Sequence, residues 1–500
     1  MATDIAKQWP PVSIEKMPLL VKCISLLVEY IQEFGRFQRN ARLYLISNGL
    51  SGVTLGIITV LYNLYLLALG YHEDFIGLVL FAGTIGAGIA IFPAGLCVDR
   101  LSGKQILIWS SVLVGVAGAG QFLFRQPFPL LASTFIVGIG AAFLLVVNAP
   151  FMTSNSTPVE RPLLFSLNIV LTLATTVLGE LLGGFLPLWL RMVPWLMEPL
   201  PAWLSWTLAG SPLARGYQLA LLIAGLIALP SFVPLFLMHD NRPHVGGPLA
   251  GLGGEERIGR PTRVQQEAAL LVGAKQAGQA ILRGKRQLGA GLTTMRANMA
   301  PTQLRHMLGS RLFLLVLIQA LIGLGAGLFI PYFNIYFVRH LGASSALFGA
   351  IDGGANALNA LLTLAAPLLA LRIGKVNSIV VTRLLSIPLL LLIGLTNYLP
   401  LATTLYPLRQ GMMDMSNGIW QVFSMEAVRE ERRGLANSSY QAAYQVAWAL
   451  AAPLGGLIIV RIGYAPLFLG AAALYLLAIA LLWARFRRYE GLTLVKKQEQ

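Results

Sequence analysis

The stretch GLCVDRLSGKQ, residues 95–105, decides the fold of this chain. It ends the apolar run LVLFAGTIGAGIAIFPAGLC (78–97) and places an adjacent acid and base, Asp99 and Arg100, directly after that run. A helix needs about 20 apolar residues to span about 30 Å of hydrocarbon. The stretch therefore indicates a membrane span that ends in a charged turn.

The composition indicates that spans of this kind fill most of the chain. Of the 500 residues, 56% are hydrophobic and 12% are charged, whereas a soluble domain carries about 25% charged residues. Cys23 and Cys97 offer neither a disulfide framework nor metal-ligand spacing. The mixed charges of residues 1–42 predict no secretory signal. The spans hold no histidine cluster, no HExxH and no nucleophile motif, so we expect no enzyme, no metal site and no cofactor.

The length criterion predicts an all-α membrane protein with twelve transmembrane helices in two six-helix pseudo-repeats. The predicted spans are residues 43–69, 77–98, 105–124, 129–151, 163–188, 216–238, 312–337, 344–371, 376–396, 400–424, 435–460 and 465–484. They divide the chain into a cytoplasmic N-terminal segment (1–42), a six-helix bundle (43–238), a cytoplasmic linker (239–310), a second six-helix bundle (311–484) and a cytoplasmic tail (485–500).

Two polar regions carry weaker helical patterns. Residues 17–28 form a short apolar patch that we interpret as an interfacial amphipathic helix. In residues 262–287, apolar residues recur at near-helical spacing opposite basic ones. That pattern fits either a helix on an anionic inner leaflet or a linker with some helical bias.

The basic residues predict the orientation of the chain. With the N-terminus inside, the inner segments hold 30 of the 37 Lys and Arg residues, and the outer loops hold 5. Arg383 and Arg409 fall within spans. This asymmetry follows the positive-inside rule and predicts a cell-membrane protein with both termini in the cytoplasm. The net charge of +16 is therefore a topology signal, and we expect no nucleic-acid partner.

The two halves of the chain repeat one another. Landmarks from four spans recur in the second half after 271 or 272 residues: Arg100 and Arg372, Arg161 and Arg433, Gly183-Gly184 and Gly455-Gly456, Asn63 and Asn334, Tyr65 and Tyr336. Internal repeats of this size are typical of secondary transporters.

The charged turn resembles the loop signature of the major facilitator superfamily, which reads roughly G-x-x-x-D-R-x-G-R/K-K. The matching residues are Gly95, Asp99, Arg100, Gly103 and Lys104, with Ser102 as an extra residue. A weaker copy stands at the repeat position and consists of Arg372, Gly374 and Lys375, with Leu371 in place of the acid. The resemblance covers nearly the whole chain. It implies that family's fold and a transporter that rocks two bundles around a midplane site.

The resemblance also implies a conformational latch where the halves meet on the inner side. In that role Asp99 bonds a neighbouring helix in one conformation only. Gly95 lets its helix approach a partner closely, and Gly103 permits a tight turn. Arg100 and Lys104 would hold the loop at anionic headgroups. Ordinary positive-inside charge explains these two basic residues equally well, but it does not explain Asp99.

The fifth span adds a resemblance to exporters of the same superfamily. These carry G-P-x-x-G-G in that helix, and LGELLGG (178–184) matches at Gly179, Gly183 and Gly184. Glu180 stands where the family has Pro. The pattern favours export over import.

Ionisable residues inside the spans are the candidate proton or substrate site: Asp352, Arg409, Asp414 and Glu180. Each costs at least about 2.5 kcal/mol on insertion scales. We expect Asp352 to lie deep enough to meet Arg409, which leaves two interpretations open. The charges either form a structural ion pair, or Asp352 or Asp414 exchanges a proton while Arg409 adjusts its affinity or meets an anionic substrate. Glu180 either reaches the outer water or joins this site. Arg383 is predicted to snorkel to the inner surface.

The outer ends of the first and seventh spans carry a candidate gate: Asn63, Tyr65, Asn334 and Tyr336. An interfacial aromatic belt explains the tyrosines equally well, but it does not explain two asparagines at repeat-equivalent positions.

These features together predict a monomeric transporter that exports a small organic molecule and uses the proton gradient as its energy source. Two alternatives stay open. One is uptake or facilitated transport of a polar metabolite, and the other is ion-independent translocation of lipids or amphiphiles.

Overall fold

The computed structural model describes residues 34–35, 37–98, 101–157, 160–194, 198, 207–240, 311–428 and 433–498. Regular structure within these ranges is helical throughout. The helical patterns predicted for residues 17–28 and 262–287 lie outside the described residues, and so do Asp99 and Arg100.

Six helical segments make up the first half. They are α1 (Arg39–Ala68), α2 (Glu73–Val98), α3 (Gly103–Leu123), α4 (Pro127–Ser154), α5 (Arg161–Arg191) and α6 (Pro212–Ala228). The sixth continues through a 3₁₀ turn, Leu229–Ser231, into the short helix Phe232–Leu237.

The second half repeats this order. It contains α7 (Arg311–Phe329), α8 (Ser345–Ile373), α9 (Lys375–Leu395), α10a (Leu399–Asp414), α10b (Asn417–Glu426), α11 (Arg433–Arg461) and α12 (Tyr464–Gln498). The chain of α7 continues through 3₁₀ and α-helical turns into a π-helical turn, Tyr336–His340. Between Ser345–Thr363 and Ala365–Ile373, α8 bends by 46° close to Pro367, a residue type that interrupts the helical hydrogen-bond ladder.

The helical architecture predicted from the apolar runs is confirmed. Among the described residues, 10 helices are long and apolar enough to cross a membrane, and the bent α8 brings the number to 11. The remaining predicted span, 400–424, is the discontinuous pair α10a and α10b, separated by Met415 and Ser416. These segments have 16 and 10 residues, so neither is long enough to cross a membrane alone.

Local sequence explains where several helices begin and end. The hydroxyl of Ser102 accepts a hydrogen bond from the Gln105 amide at 3.2 Å and so caps α3. The extra residue of the family-like loop is therefore its helix cap. Gly70 and Gly342, one repeat apart, follow α1 and α7 with φ of 97° and 74°, a backbone conformation that glycine adopts without steric penalty.

Equivalent tyrosines hold each half together in the same way. The Tyr65 hydroxyl donates to the Phe122 carbonyl oxygen at 2.9 Å, and the Tyr336 hydroxyl donates to the Ile393 carbonyl oxygen at 2.7 Å. Both bonds tie the first helix of a half to the end of its third helix. Donor and acceptor recur at the same interval of 271 residues, so the repeat seen in the sequence is also a repeat of contacts.

The halves pack together at the end of the bundle where α1, α5, α7 and α11 finish, which we call the joined end. A Cβ atom at Gly184 of α5 would lie 2.8 Å from the Ser345 carbonyl oxygen at the start of α8. A Cβ atom at Gly456 of α11 would lie 2.6 Å from the carbonyl carbon of Glu73 at the start of α2. These two glycines are one repeat apart. They allow the fifth helix of each half to pack closely against the second helix of the other half.

At the opposite end of the bundle, Gly95 and Gly103 do not have the roles that the resemblance implies for the latch. A Cβ atom at Gly95 would have no neighbour within 4 Å in the described part of the chain, so the expected close approach of a partner helix is not seen there. Gly103 does not have the left-handed φ that a glycine-specific turn requires. Its lack of a side chain instead accommodates Phe151, whose Cδ2 would lie 2.9 Å from an added Cβ atom.

Candidate functional site

The predicted gate asparagines face each other across the two halves. Nδ2 of Asn63 donates to the Pro331 carbonyl oxygen at 2.7 Å and lies 3.5 Å from Oδ1 of Asn334. In return, Nδ2 of Asn334 donates to the Val60 carbonyl oxygen at 3.2 Å. Because equivalent residues of the two repeats contact each other, the approximate twofold axis passes between them. Tyr65 and Tyr336 do not take part, since each bonds within its own half.

Replacement of Asn334 by Ala is expected to weaken the joined end. The variant loses the hydrogen bond to Val60 across the halves, and a net loss of about 1 kcal/mol corresponds to about a fivefold shift in population. Spin labels at exposed positions 128 and 398, in a variant without Cys23 and Cys97, would report this as a longer distance. An unchanged distance distribution would contradict the assigned contact.

Glu180 and Asp352 are brought together at the same interface. Glu180 of α5 is 1% exposed and Asp352 of α8 is 9% exposed. Oε1 of Glu180 accepts a hydrogen bond from Nδ2 of Asn356 at 2.8 Å. Asn356 lies one turn after Asp352, on the same face of the helix. The two carboxyl groups would repel each other if both were charged. Glu180 therefore does not reach the outer water but is buried against the other half.

The partner of Asp352 is Tyr406 of α10a. The tyrosine hydroxyl donates to Oδ1 of Asp352 at 2.8 Å, and both side chains are buried. Among the described residues no ion pair within 4 Å joins Asp352 to Arg409. The expected meeting of these two residues is therefore wrong, and Asp352 bonds to Tyr406 instead. We call Glu180, Asp352, Asn356 and Tyr406 the carboxyl cluster.

The second interface between the halves has no counterpart of this cluster. The residues one repeat before Asp352 and Asn356 are Leu80 and Thr84 on α2, and the residue one repeat after Glu180 is Ala452 on α11. The backbone contact is duplicated, but the positions of these acids are not. The buried acid at the second interface, Glu73, instead lies 3.7 Å from Nη1 of Arg339 in the other half.

A second polar site lies inside the second half. It is a cavity of about 250 Å³ between α7, α9, α10a, α10b, α11 and α12. Its lining residues are Gln319, Ile322, Ala326, Ile330, Arg383, Arg409, Met413, Asp414, Asn417, Trp420, Gln421, Gln441, Tyr444 and Tyr475. Two guanidinium groups and one carboxyl group thus share a small, mostly buried space.

Arg409 is 1% exposed and lies against two aromatic rings of this cavity. Its guanidinium carbon is 4.8 Å from the centre of the Phe329 ring and 6.0 Å from that of Tyr475, within cation–π range. Nη1 donates to Oε1 of Gln410 at 3.0 Å, and Nε2 of Gln410 donates to Oδ2 of Asp414 at 2.6 Å. Gln410 therefore bridges the base and the acid.

The break between α10a and α10b is held by Arg383. Its Nε donates to the Ser416 hydroxyl at 3.0 Å, and its Nη2 donates to Oδ1 of Asn417 at 3.3 Å. Arg383 is 3% exposed, so the expected snorkelling does not occur. The reason is the break itself, which places polar groups beside the guanidinium inside the bundle.

The two copies of the charged turn use their lysines differently. Nζ of Lys104 donates to the Met238 carbonyl oxygen at 2.6 Å, which holds the chain end that follows α6. Nζ of Lys375 contacts the carboxylate of Glu426 at 2.5 Å, at the end of α10b. Arg372 is exposed, and Gly374 links α8 to α9 with φ of 88°. Each lysine thus binds the protein, and the latch role of the turn stays a prediction.

Comparison with known proteins agrees with this architecture. The family model described as Major Facilitator Superfamily matches residues 44–399 and 315–500. No curated protein sequence matches the chain.

Several solved structures share the fold. A bacterial homologue of the human lysosomal transporter Spinster, inward-facing and unoccupied, is 15% identical with a TM-score of 0.60, covering 90% of this chain and 96% of that one. A D-xylose-proton symporter is 15% identical with a TM-score of 0.58, covering 89% and 97%. A bacterial homologue of the iron transporter ferroportin, inward-facing, is 18% identical with a TM-score of 0.59, covering 89% and 98%.

These matches span both halves of the chain and show the same fold. The predicted assignment to a family of transporters and not of enzymes is confirmed. This chain is a membrane-embedded member of the major facilitator superfamily.

Proposed function

We propose that this chain is a proton-coupled exporter of a small organic molecule, working as a monomer in the cell membrane with both termini in the cytoplasm. The observation that carries the coupling is the carboxyl cluster. In it, Glu180 of the first half accepts a hydrogen bond from Asn356 of the second half, one turn from Asp352, at the contact that closes the joined end.

The cluster links protonation to closure. Two carboxylates buried at one contact repel each other, and a proton on either one removes that repulsion. Proton binding therefore favours the conformation in which the joined end is closed, and proton loss favours the conformation in which it is open. Tyr406 keeps one oxygen of Asp352 hydrogen-bonded, and Asn356 does the same for Glu180. The remaining oxygens are available for the exchanged proton.

The cycle for export follows from this link. With the joined end facing outwards, protons enter from outside and close that end. The bundles then open inwards, the proton leaves, and substrate binds. Repulsion between the carboxylates reopens the joined end and carries the substrate out. The outward direction rests on Gly179, Gly183 and Gly184 of α5, which match the glycines of the exporter element.

Proton movement in proteoliposomes tests this function. Purified protein is reconstituted with an internal pH-sensitive dye and challenged with a panel of small organic anions, cations and neutral compounds. We expect at least one compound to drive proton movement in the wild type. Asp352→Asn should abolish that movement, because the uncharged amide cannot repel Glu180 and the loss of a proton from Glu180 then no longer opens the joined end.

The matched control is Glu160→Gln, a change of the same kind in the loop before α5 and away from the cluster, which should retain proton movement. If no compound drives proton movement, the coupling is wrong. If compounds cross without proton movement in the wild type, the chain is a facilitator. If lipids cross at a rate insensitive to pH, it is an amphiphile translocator.

A further inference from the structure

We propose that the cavity in the second half binds the carboxylate group of a small organic anion, with Arg409 and Arg383 as the binding residues. The inference rests on the proposed transport function, because it names the chemical class of the transported substrate. The geometry of the cavity supports the anion site whatever the direction of transport and whether or not transport is coupled to protons.

The unpartnered donors of the cavity indicate an anion. Nε and Nη2 of Arg409, Nη1 of Arg383 and Nε1 of Trp420 are buried and have no acceptor among the described residues. A buried donor without a partner is costly, and a buried cation without one is more so. In Arg409, Nε and Nη2 form one edge of the guanidinium plane. That edge binds both oxygens of a carboxylate in parallel.

The charges of the cavity leave room for one negative charge. Arg383 and Arg409 contribute two positive charges, and among the described residues Asp414 is the only acid that lines the cavity. Asp414 already accepts hydrogen bonds from Gln410 at 2.6 Å and from Asn417 at 3.3 Å. Neither arginine lies within 4 Å of its carboxylate in the described part of the chain. A singly charged anion balances the excess positive charge.

The discontinuous tenth helix supports the same site. Asn417, the first residue of α10b, lines the cavity. The N-terminus of a helix carries partial positive charge, and helices broken beside a cavity mark substrate sites in secondary transporters. Ser416 forms no side-chain cap on this helix and accepts its hydrogen bond from Arg383. The break thus orients the guanidinium group of Arg383 and adds a favourable helix dipole.

The size and walls of the cavity define the rest of the ligand. Its volume of about 250 Å³ is below the about 300–1,000 Å³ typical of pockets for drug-sized ligands. Ile322, Ala326, Ile330 and Met413 supply apolar wall opposite the polar groups. A small carboxylate with an apolar body fits both parts. A phosphate monoester carries up to two charges and would leave one of them unbalanced.

Equilibrium calorimetry on the purified full-length protein tests the proposal, with benzoate, benzamide, benzylamine and phenyl phosphate as probes. We expect benzoate to bind more tightly than the other three. Arg409→Gln and Arg383→Gln should each weaken benzoate binding at least about tenfold, as for the loss of a charge-assisted hydrogen bond. Arg409→Lys should retain part of the affinity. Asp414→Asn should increase it, because the competing negative charge is removed.

The control is Arg487→Gln, which removes an exposed arginine outside the cavity and should leave benzoate affinity unchanged. Size-exclusion profiles and thermal unfolding would show which variants remain folded, and the gain expected for Asp414→Asn does not depend on a loss of function. Equal binding of benzoate and benzamide, tighter binding of phenyl phosphate, or no binding of any probe would overturn the proposal. So would unchanged binding in folded Arg409→Gln and Arg383→Gln.

Calorimetry involves no membrane and no gradient, so its result separates this proposal from the transport function. Benzoate binding without coupled proton movement would leave the anion site standing and refute the coupling. Proton movement driven only by neutral or cationic compounds, without benzoate binding, would support the coupling and refute the anion site.

Discussion

Replacement of Glu180 by Gln is expected to keep the joined end closed at every pH at which the wild type opens it. Gln retains the oxygen that accepts the hydrogen bond from Asn356 but has no charge to repel Asp352. At an effective dielectric constant of about 20, two unit charges about 4 Å apart repel by about 4 kcal/mol, and the repulsion falls in inverse proportion to their distance. The closed population of the variant should therefore exceed that of the wild type by more than about tenfold at high pH.

Distances between spin labels at positions 128 and 398 would measure this effect between pH 5 and pH 9. The sign follows from the cluster. At low pH a proton removes the repulsion and the wild type is closed, and at high pH both acids are charged and it opens. Glu180→Gln and Asp352→Asn should each give the closed distance throughout, whereas Glu160→Gln should follow the wild type. A pH response that survives in both cluster variants would refute the assigned coupling.

The opposite shift is expected from valine at the interface glycines. A Cβ atom at Gly184 would lie 2.9 Å from Cα of Ala346, so a larger side chain cannot be placed while the joined end stays closed. Overpacking of this kind costs about 1–3 kcal/mol. Gly184→Val should therefore open the joined end at low pH and abolish transport. Gly456→Val, one repeat later, should act in the same way because it meets the backbone of Glu73.

Gly118→Val serves as the control for both glycine variants. A Cβ atom at Gly118 would have no neighbour within 4 Å, so this change adds the same side chain without a clash. It should preserve both the label distances and the transport. Closed distances in Gly184→Val at low pH would show that the halves do not meet at this residue.

The parts of the site that could be predicted from sequence are those fixed by the repeat. Asn63 and Asn334 occupy equivalent positions in the two halves, and equivalent residues near an approximate twofold axis contact each other. The interval of 271 residues was therefore enough to single out this pair. The tyrosines at the same interval were also found, but an equal interval does not distinguish a contact between halves from a duplicated contact within each half.

Contacts that depend on helix rotation could not be predicted. For Glu180, the choice between the outer water and the candidate site stayed open, because its distance from the helix end does not show which way its side chain points. Gly349 and Gly353, four residues apart on α8, were a usable signal, since small residues at that spacing let helices approach closely. Arg383 was wrongly expected to snorkel, and Tyr406 was not singled out. Hydropathy alone does not show the break between α10a and α10b. The turn-forming residues Asp414, Ser416 and Asn417 within one span were the signal for it.

The depth of the carboxyl cluster has an electrical consequence. Glu180 stands 11 residues before the end of α5, which at about 1.5 Å per residue is about half of the hydrocarbon thickness. A proton that reaches it from one surface crosses about half of the transmembrane voltage, which amounts to about 1 kcal/mol at 100 mV. The membrane potential should therefore drive protons onto the carboxyl cluster in addition to the pH difference. Turnover should rise with voltage even when the pH is equal on both sides.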